Sequence, residues 1–428
     1  MRYFRLTSSL IIAFVLVACS QKPASESPPS KTETPKSVEE KETPSNPAAA
    51  LKAAASNLSE AVKWQDIKPG TPQFHYLMGG YHTLAAVEHI LQVRYANYSG
   101  QLPLVPGAQG RIAANPDAKF DPAFIEHALS GALVHLERAQ KSLDKAVGKD
   151  FEINVKISGL WFDINQNGER DEGEGVLTQV RQMPQFSRVN TKDVTVRFDK
   201  ADADWLAAYV HMLSGMAEMV LATDPTPAIK TVTEGRALLL EKGSIAATPI
   251  MNDDEFVESA AVIIMALRGV PEKTRTRAAL AHYKSMIAHN RAFWTHVMAE
   301  TDDRDEWLPN PDQASAFGPK VTAEMAEGWQ EILTEISDVL EGKKLLPYWR
   351  IRNRSLGIAN SETDTGTGIG INFAKMMTDP GDMDIILLIQ GTAVAPYLEE
   401  GVLADNQAWR RFSRLTGGQG GLFALWFN

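Results

Sequence analysis

Large apolar side chains recur at steps of three and four along much of this chain, and only a helix gathers that spacing onto one face. Leu77, Tyr81, Leu84, Val87, Leu91 and Tyr95 do so between Phe74 and about Tyr95. After Asp121-Pro122, a cap followed by a first-turn proline, Ile125, Leu129, Ala132, Leu136, Ala139 and Leu143 do so up to Gly148. Asp199-Lys-Ala-Asp202 has the acids of a capping box and opens a third run through Trp205, Tyr209, Met212, Met216 and Met219. Further helices are expected from Asn252 to about Leu267, Glu272 to about Met298, Thr322 to Leu340 and Asn406 to Leu415. No 34-residue self-similarity marks a tetratricopeptide array. The expected class is mainly α, a multi-helix bundle or irregular helical array.

The texture changes at Phe151. Ile153, Val155 and Ile157 alternate with polar residues, as do Val194, Val196 and Phe198, so a small two-stranded ribbon is predicted within about 151–199. Between its strands runs Trp161-Phe-Asp-Ile-Asn-Gln-Asn-Gly-Glu-Arg-Asp-Glu-Gly-Glu174. This segment sets Asp163, Asn165, Asn167, Glu169, Asp171 and Glu174 at positions 1, 3, 5, 7, 9 and 12 of one loop, with Gly168 at position 6. Alternate residues of a tight loop can turn their oxygens inward, and a hard cation of calcium's size takes six to eight oxygens at ~2.3–2.6 Å.

The spacing resembles an EF-hand calcium loop, which implies calcium as the cofactor. In that resemblance Glu169 acts through its backbone carbonyl and the other five through side-chain oxygens. Two features depart from an EF-hand proper. A strand enters the loop where a helix should, and Arg170 stands at position 8, where an apolar residue usually pairs with a second loop. They favour a lone structural loop over a helix-opening sensor, with an affinity of ~10⁻⁴–10⁻³ M as in extracellular modules.

The first residues carry Arg2 and Arg5 ahead of the apolar run Leu10–Ala18, too short to span a bilayer as a mature helix. Leu16-Val17-Ala18-Cys19 resembles a bacterial lipobox, which implies a signal peptide over 1–18 and lipid attachment at Cys19. Ser20, rather than aspartate, after the cysteine favours the outer membrane, with the protein facing the periplasm or cell surface. Residues 20–48 are rich in Pro, Ser, Thr, Lys and Glu. They are read as a disordered tether that lifts the globular region, 49–428, ~30 Å from the lipid. Cys19 is the only cysteine, so once acylated it leaves no disulfide, cysteine-ligated metal or cysteine catalysis. The formal charge is −10, and both basic residues of the signal would be lost on cleavage, so nucleic acid is excluded as a partner.

His75, His82 and His89 lie at seven-residue steps on the first helix, and His282, His289 and His296 repeat the spacing later. Each step is ~10.5 Å along the axis, so neighbours on one helix cannot share an ion. A polar seam is the expectation, and a metal site between the two histidine faces is the alternative if they pack together. Gly80-Tyr-His82 resembles the opening of the Gly-x-His-x-x-Glu motif of imelysin-like lipoproteins, with Ala85 in place of the glutamate. The run Val194–Ala222 resembles a segment of uncharacterised bacterial proteins that carry a similar aspartate–asparagine loop, which implies no function. Lys343–Arg354 is the dense basic and aromatic stretch, able to meet an anionic partner or to balance the chain's own acids. Gly366-Thr-Gly-Ile-Gly370 lacks the spacing of a nucleotide loop.

No serine–histidine–acid, zincin or paired-carboxylate motif stands out, and the balance leans away from an enzyme. The reading is a lipid-anchored, extracytoplasmic calcium-binding protein of the cell envelope, a binding or scaffold lipoprotein with a possible envelope-protein partner. The alternative is a helical metal-handling protein or metalloenzyme using histidines from two helices.

Overall fold

The computed structural model describes residues 61–62, 67–98, 114–181, 193–243, 254–316, 320–351, 366–418 and 420–428. The signal peptide, Cys19, the tether and residues 99–113 lie outside these residues. Twelve α-helices and five strands follow in order among the described residues. They are α1 (Pro72–Asn97), α2 (Phe124–Leu143), β1 (Glu152–Lys156), α3 (Val176–Arg181), β2 (Thr195–Asp199), α4 (Lys200–Leu221), α5 (Thr226–Lys242), α6 (Asp254–Ala266), α7 (Lys273–Val297), α8 (Ala323–Leu340), β3 (Leu346–Pro347), β4 (Thr367–Ile371), α9 (Phe373–Thr378), α10 (Ile385–Gln390), β5 (Leu398–Val402), α11 (Gln407–Leu415) and α12 (Gly420–Phe427). The class is mainly α with a small two-stranded ribbon.

Local chemistry sets the helix starts. Pro72 stands in the first turn of α1, where a missing N–H breaks no bond, and Thr71 Oγ1 accepts from Phe74 N at 3.3 Å. α2 opens at Phe124, later than Asp121-Pro122 suggests, because Asp121 spends its carboxylate on a turn to Ala123 N at 2.9 Å. The capping box of α4 forms as the residues imply: Asp199 accepts from Ala201 N and Asp202 from Asp199 N, each at 2.9 Å.

α1 and α2 form one antiparallel pair, α4 and α7 another, and α2 lies against α4 with Gln140 Nε2 donating to Ser214 Oγ at 3.0 Å. The main core runs through these helices and on to α8, α11 and α12. There Asn290, fully buried, accepts from Trp329 Nε1 at 2.9 Å and donates to the Phe427 carbonyl at 2.7 Å, so both ends of its amide are paired. Phe427 is itself fully buried, whereas Ile386 and Ile389 of α10 are exposed. α5 and α6 form an outlying hairpin that packs through Ala228, Ile229 and Val262 onto Phe124.

β1 and β2 pair antiparallel with Ile153 opposite Phe198 and Val155 opposite Val196, all buried. A second sheet, β3-β4-β5, takes in Gly366–Gly370, which the sequence shows only as a glycine-rich stretch. Bare backbone is needed there: a Cβ on Gly370 would lie 2.8 Å from both Leu345 Cβ and Leu403 Cδ2.

Candidate metal centre

The loop 163–174 is closed at its neck by backbone. Phe162 N donates to the Glu174 carbonyl and Val176 N to the Leu160 carbonyl, each at 2.9 Å, beside a bridge between Trp161 and Gly175. A 3₁₀ turn, Ile157–Gly159, leads in and α3 leads out, so the segment has the exiting helix of an EF-hand without the entering one. The ribbon therefore carries the loop at a distance, and the neck holds it. Gly168 takes φ 77°, a left-handed value that glycine reaches without strain.

Inside the loop the polar atoms converge. Asp163 Oδ2 accepts from Gly168 N at 3.1 Å, the bond by which the first residue holds the tight turn at the sixth. Asn165 Oδ1 accepts from Asn167 N at 3.0 Å and Asn167 Oδ1 from Glu169 N at 2.7 Å. Both amide nitrogens turn toward Asp171 Oδ2, at 2.6 Å from Asn165 and 2.9 Å from Asn167. Glu174 is buried, with one carboxylate oxygen on Ile164 N and the other on Asp171 N, each at 2.8 Å.

One atom is left over. Asp163 Oδ1 is buried and has no hydrogen-bond partner. A buried carboxylate oxygen without a partner is costly, and a hard cation satisfies it. The donors present are oxygens only, which suits calcium and not a thiophilic ion. Turning either asparagine amide over presents its oxygen to Asp171's side of the loop in place of nitrogen. Asp163, Asn165, Asn167, Asp171 and Glu174 thus sit together with the Glu169 backbone in one loop, although Asp163, Asp171 and Glu174 do not bring one oxygen each within 4.8 Å of one another.

Two residues of α1 hold the loop's first position. Glu88 Oε2 accepts from Asp163 N at 3.0 Å, and Gln92 Nε2 donates to the Asp163 carbonyl at 2.8 Å. Phe162 and Ile164 are buried against Leu84, Val87, Leu91 and Tyr95 of the same helix. The three- and four-residue spacing along α1 marks this face, but nothing local pairs it with residue 163.

Three other carboxylates, Asp199, Glu300 and Glu306, bring one oxygen each within 4.8 Å of one another. Arg197 already lies among them, with Nη1 3.0 Å from Asp199 and Nη2 2.6 Å from Glu306 and 2.9 Å from Asp302. Burial works against its charge, but the hydrogen bond and field of Glu306, with Asp199 and Asp302, outweigh it and hold the guanidinium protonated more firmly than usual. Burial, helped by the charge of Asp199, pushes Glu300 up to about 7. The cluster is an internal ionic knot joining β2 to the segment after α7.

The two histidine faces do not form one seam. His82 and His89 meet His135 of α2, with ring centres 6.3 and 6.2 Å apart, whereas His282 and His289 meet His211 of α4. His82 Nδ1 and His135 Nδ1 are buried without partners, and burial drives both rings down to about 4. Lys343 and Lys344 of the basic stretch pair with Glu341, Glu335 and Asp338, and residues 352–354 lie outside the described residues.

Comparison of the chain with protein-family models, curated proteins and solved structures finds no match to any of them.

Proposed function

We propose that this chain is a lipid-anchored, extracytoplasmic calcium-binding protein of a bacterial cell envelope, acting by binding or scaffolding and not by catalysis. The observation that carries the calcium reading is Asp163 Oδ1, a buried carboxylate oxygen without a partner, in a loop with oxygens at every EF-hand ligand position. Calcium would be held by Asp163, Asn165, Asn167, the Glu169 carbonyl, Asp171 and Glu174, and would tighten a loop already fastened to α1. The lipid anchor rests on Cys19 and the residues before it. Among the described residues no single helix is long and apolar enough to cross a membrane.

Calorimetric titration of chelator-stripped protein tests the metal. One calcium per chain with a dissociation constant of ~10⁻⁴–10⁻³ M is expected, lost in Asp163→Ala. An absence of heat at millimolar calcium would refute it. Cell fractionation tests the anchor: Cys19→Ser should move the protein from the membrane to the soluble fraction, and an unchanged distribution would remove the lipid from the reading.

A further inference from the structure

A second constellation lies in the seam between α4 and α7, far from hard-cation chemistry. The antiparallel helices interleave polar residues at heptad spacing: Asp204, His211 and Glu218 from α4 and Arg275, His282, His289 and His296 from α7. Glu218 and Arg275 close one end as an ion pair at 2.8 Å. Gly215 lets the helices approach there, because a Cβ would lie 2.6 Å from the Tyr283 ring. All nine histidines of the chain fall on α1, α2, α4 and α7, and four of them fall in this seam.

His211 Nδ1 and His282 Nδ1 are 2.9 Å apart, and their ring centres are 5.2 Å apart. Two imidazoles whose nitrogens lie ~2.0–2.1 Å from one ion, at a tetrahedral angle, have nitrogens ~3.3 Å and ring centres ~5.2 Å apart. The ring of His289 lies 5.6 Å from that of His211 and stacks on it. Asp204 is 1% exposed and takes His289 Nδ1 on one oxygen at 3.3 Å and His296 Nδ1 on the other at 3.0 Å. With Nδ1 turned to the carboxylate, Nε2 is the ring nitrogen of His289 left for another partner. A carboxylate behind a ligating imidazole is the usual way its tautomer and ring orientation are set.

We propose that His211, His282 and His289 form a site for a borderline divalent transition-metal ion of the zinc, nickel or copper class, with Asp204 as the positioning residue that orients His289. Imidazole donors suit these ions and not calcium or magnesium. His211 and His282 already stand close to the spacing of adjacent ligands. The ligating atoms of the three histidines do not all lie within 4.8 Å of one another, so His289 must turn about its Asp204 contact to bring Nε2 to the ion. The site is independent of the calcium loop, so either can fail alone.

The test uses the full chain stripped with chelator and titrated with zinc and with cobalt(II). One ion per chain is expected, with the visible ligand-field bands of tetrahedral cobalt. His211→Gln and His282→Gln should weaken binding at least ~100-fold, and Asp204→Asn by ~10–100-fold with the stoichiometry kept. Asp163→Ala should leave it unchanged. Spin-echo counting of coordinated imidazoles on copper(II)-loaded wild type needs no substitution, and two or three support the site. One or none overturns it, as does zinc binding that survives both glutamine variants in folded protein. In that case the short His211–His282 contact holds a shared proton and nothing more.

Discussion

Replacing His82 by Met should change how this protein responds to acid more than it changes stability at neutral pH. His82 is 7% exposed, its Nδ1 has no hydrogen-bond partner, and burial, with the charges of His135 and Arg138, pushes it down to about 4 from 6.5. A base whose folded pKa lies below its unfolded value adds nothing above pH ~6.5, where both states are neutral. As the pH falls from 6.5 toward 4 the unfolded chain takes up a proton that the fold refuses, and stability drops by ~1.4 kcal/mol per unit for this one group. Between pH ~7.5 and ~5 that is about 2 kcal/mol, removed along with the imidazole in His82→Met. Methionine fills a similar space without a titrating atom, so near neutrality the two proteins should differ little. Urea unfolding of both at the two pH values gives the difference directly. The variant should gain about 2 kcal/mol on the wild type at the acid value, with a residual acid slope left to the other lowered histidines, His135 and His211 among them. Parallel stability curves would refute the reasoning, because they would mean that His82 titrates alike in both states and that water reaches it in the fold.

Glu300→Gln should show the opposite slope. Glu300 is raised to about 7, so the fold keeps a proton that the unfolded chain releases near 4.5. Its stabilising share is complete below 4.5 and lost as the pH rises through 7. Allowing for partial exposure, glutamine should gain roughly 2 kcal/mol at pH ~8 and nothing at pH ~4.5, read by the same urea experiment, and equal gains at both would count against the assignment. Gly131→Ala tests the α1–α2 seam. An added Cβ would lie 2.0 Å from His89 Nε2, which bonds the His127 carbonyl at 3.1 Å. An exposed helical Gly→Ala normally gains ~1 kcal/mol, so a loss of about 2 kcal/mol in thermal or urea unfolding is expected, and a gain would show that the helices can part at no cost.

Periodicity made the helices readable because each side chain reports its own angle about the axis. The caps were readable for the same local reason: Asp199 and Asp202 act on backbone within three residues of themselves. The strand that became β4 was hidden because three of its neighbourhood's residues are glycines, which have no side chain to alternate across the pleat. Seven-residue spacing said which face of α1 and α7 carries histidine, but a face does not name its partner. The structure sets α1 against His135 and α7 against His211, two positions that stand outside either histidine series.

The loop separates what is local from what is not. Its ligand positions are contiguous, so their spacing was visible, and Gly168 and the asparagines make the turn on their own. What gives the turn a fixed place is Glu88 and Gln92, each more than seventy residues away from Asp163. The patch of Leu84, Val87, Leu91 and Tyr95 beneath Phe162 and Ile164 is as remote. At 100° per residue these positions lie well round α1 from His82 and His89. One helix therefore carries the oxygen loop on one side and the buried histidine seam on another. A cation that tightens Asp163 acts on the Glu88 and Gln92 contacts first, and so bears on α1 before any other element.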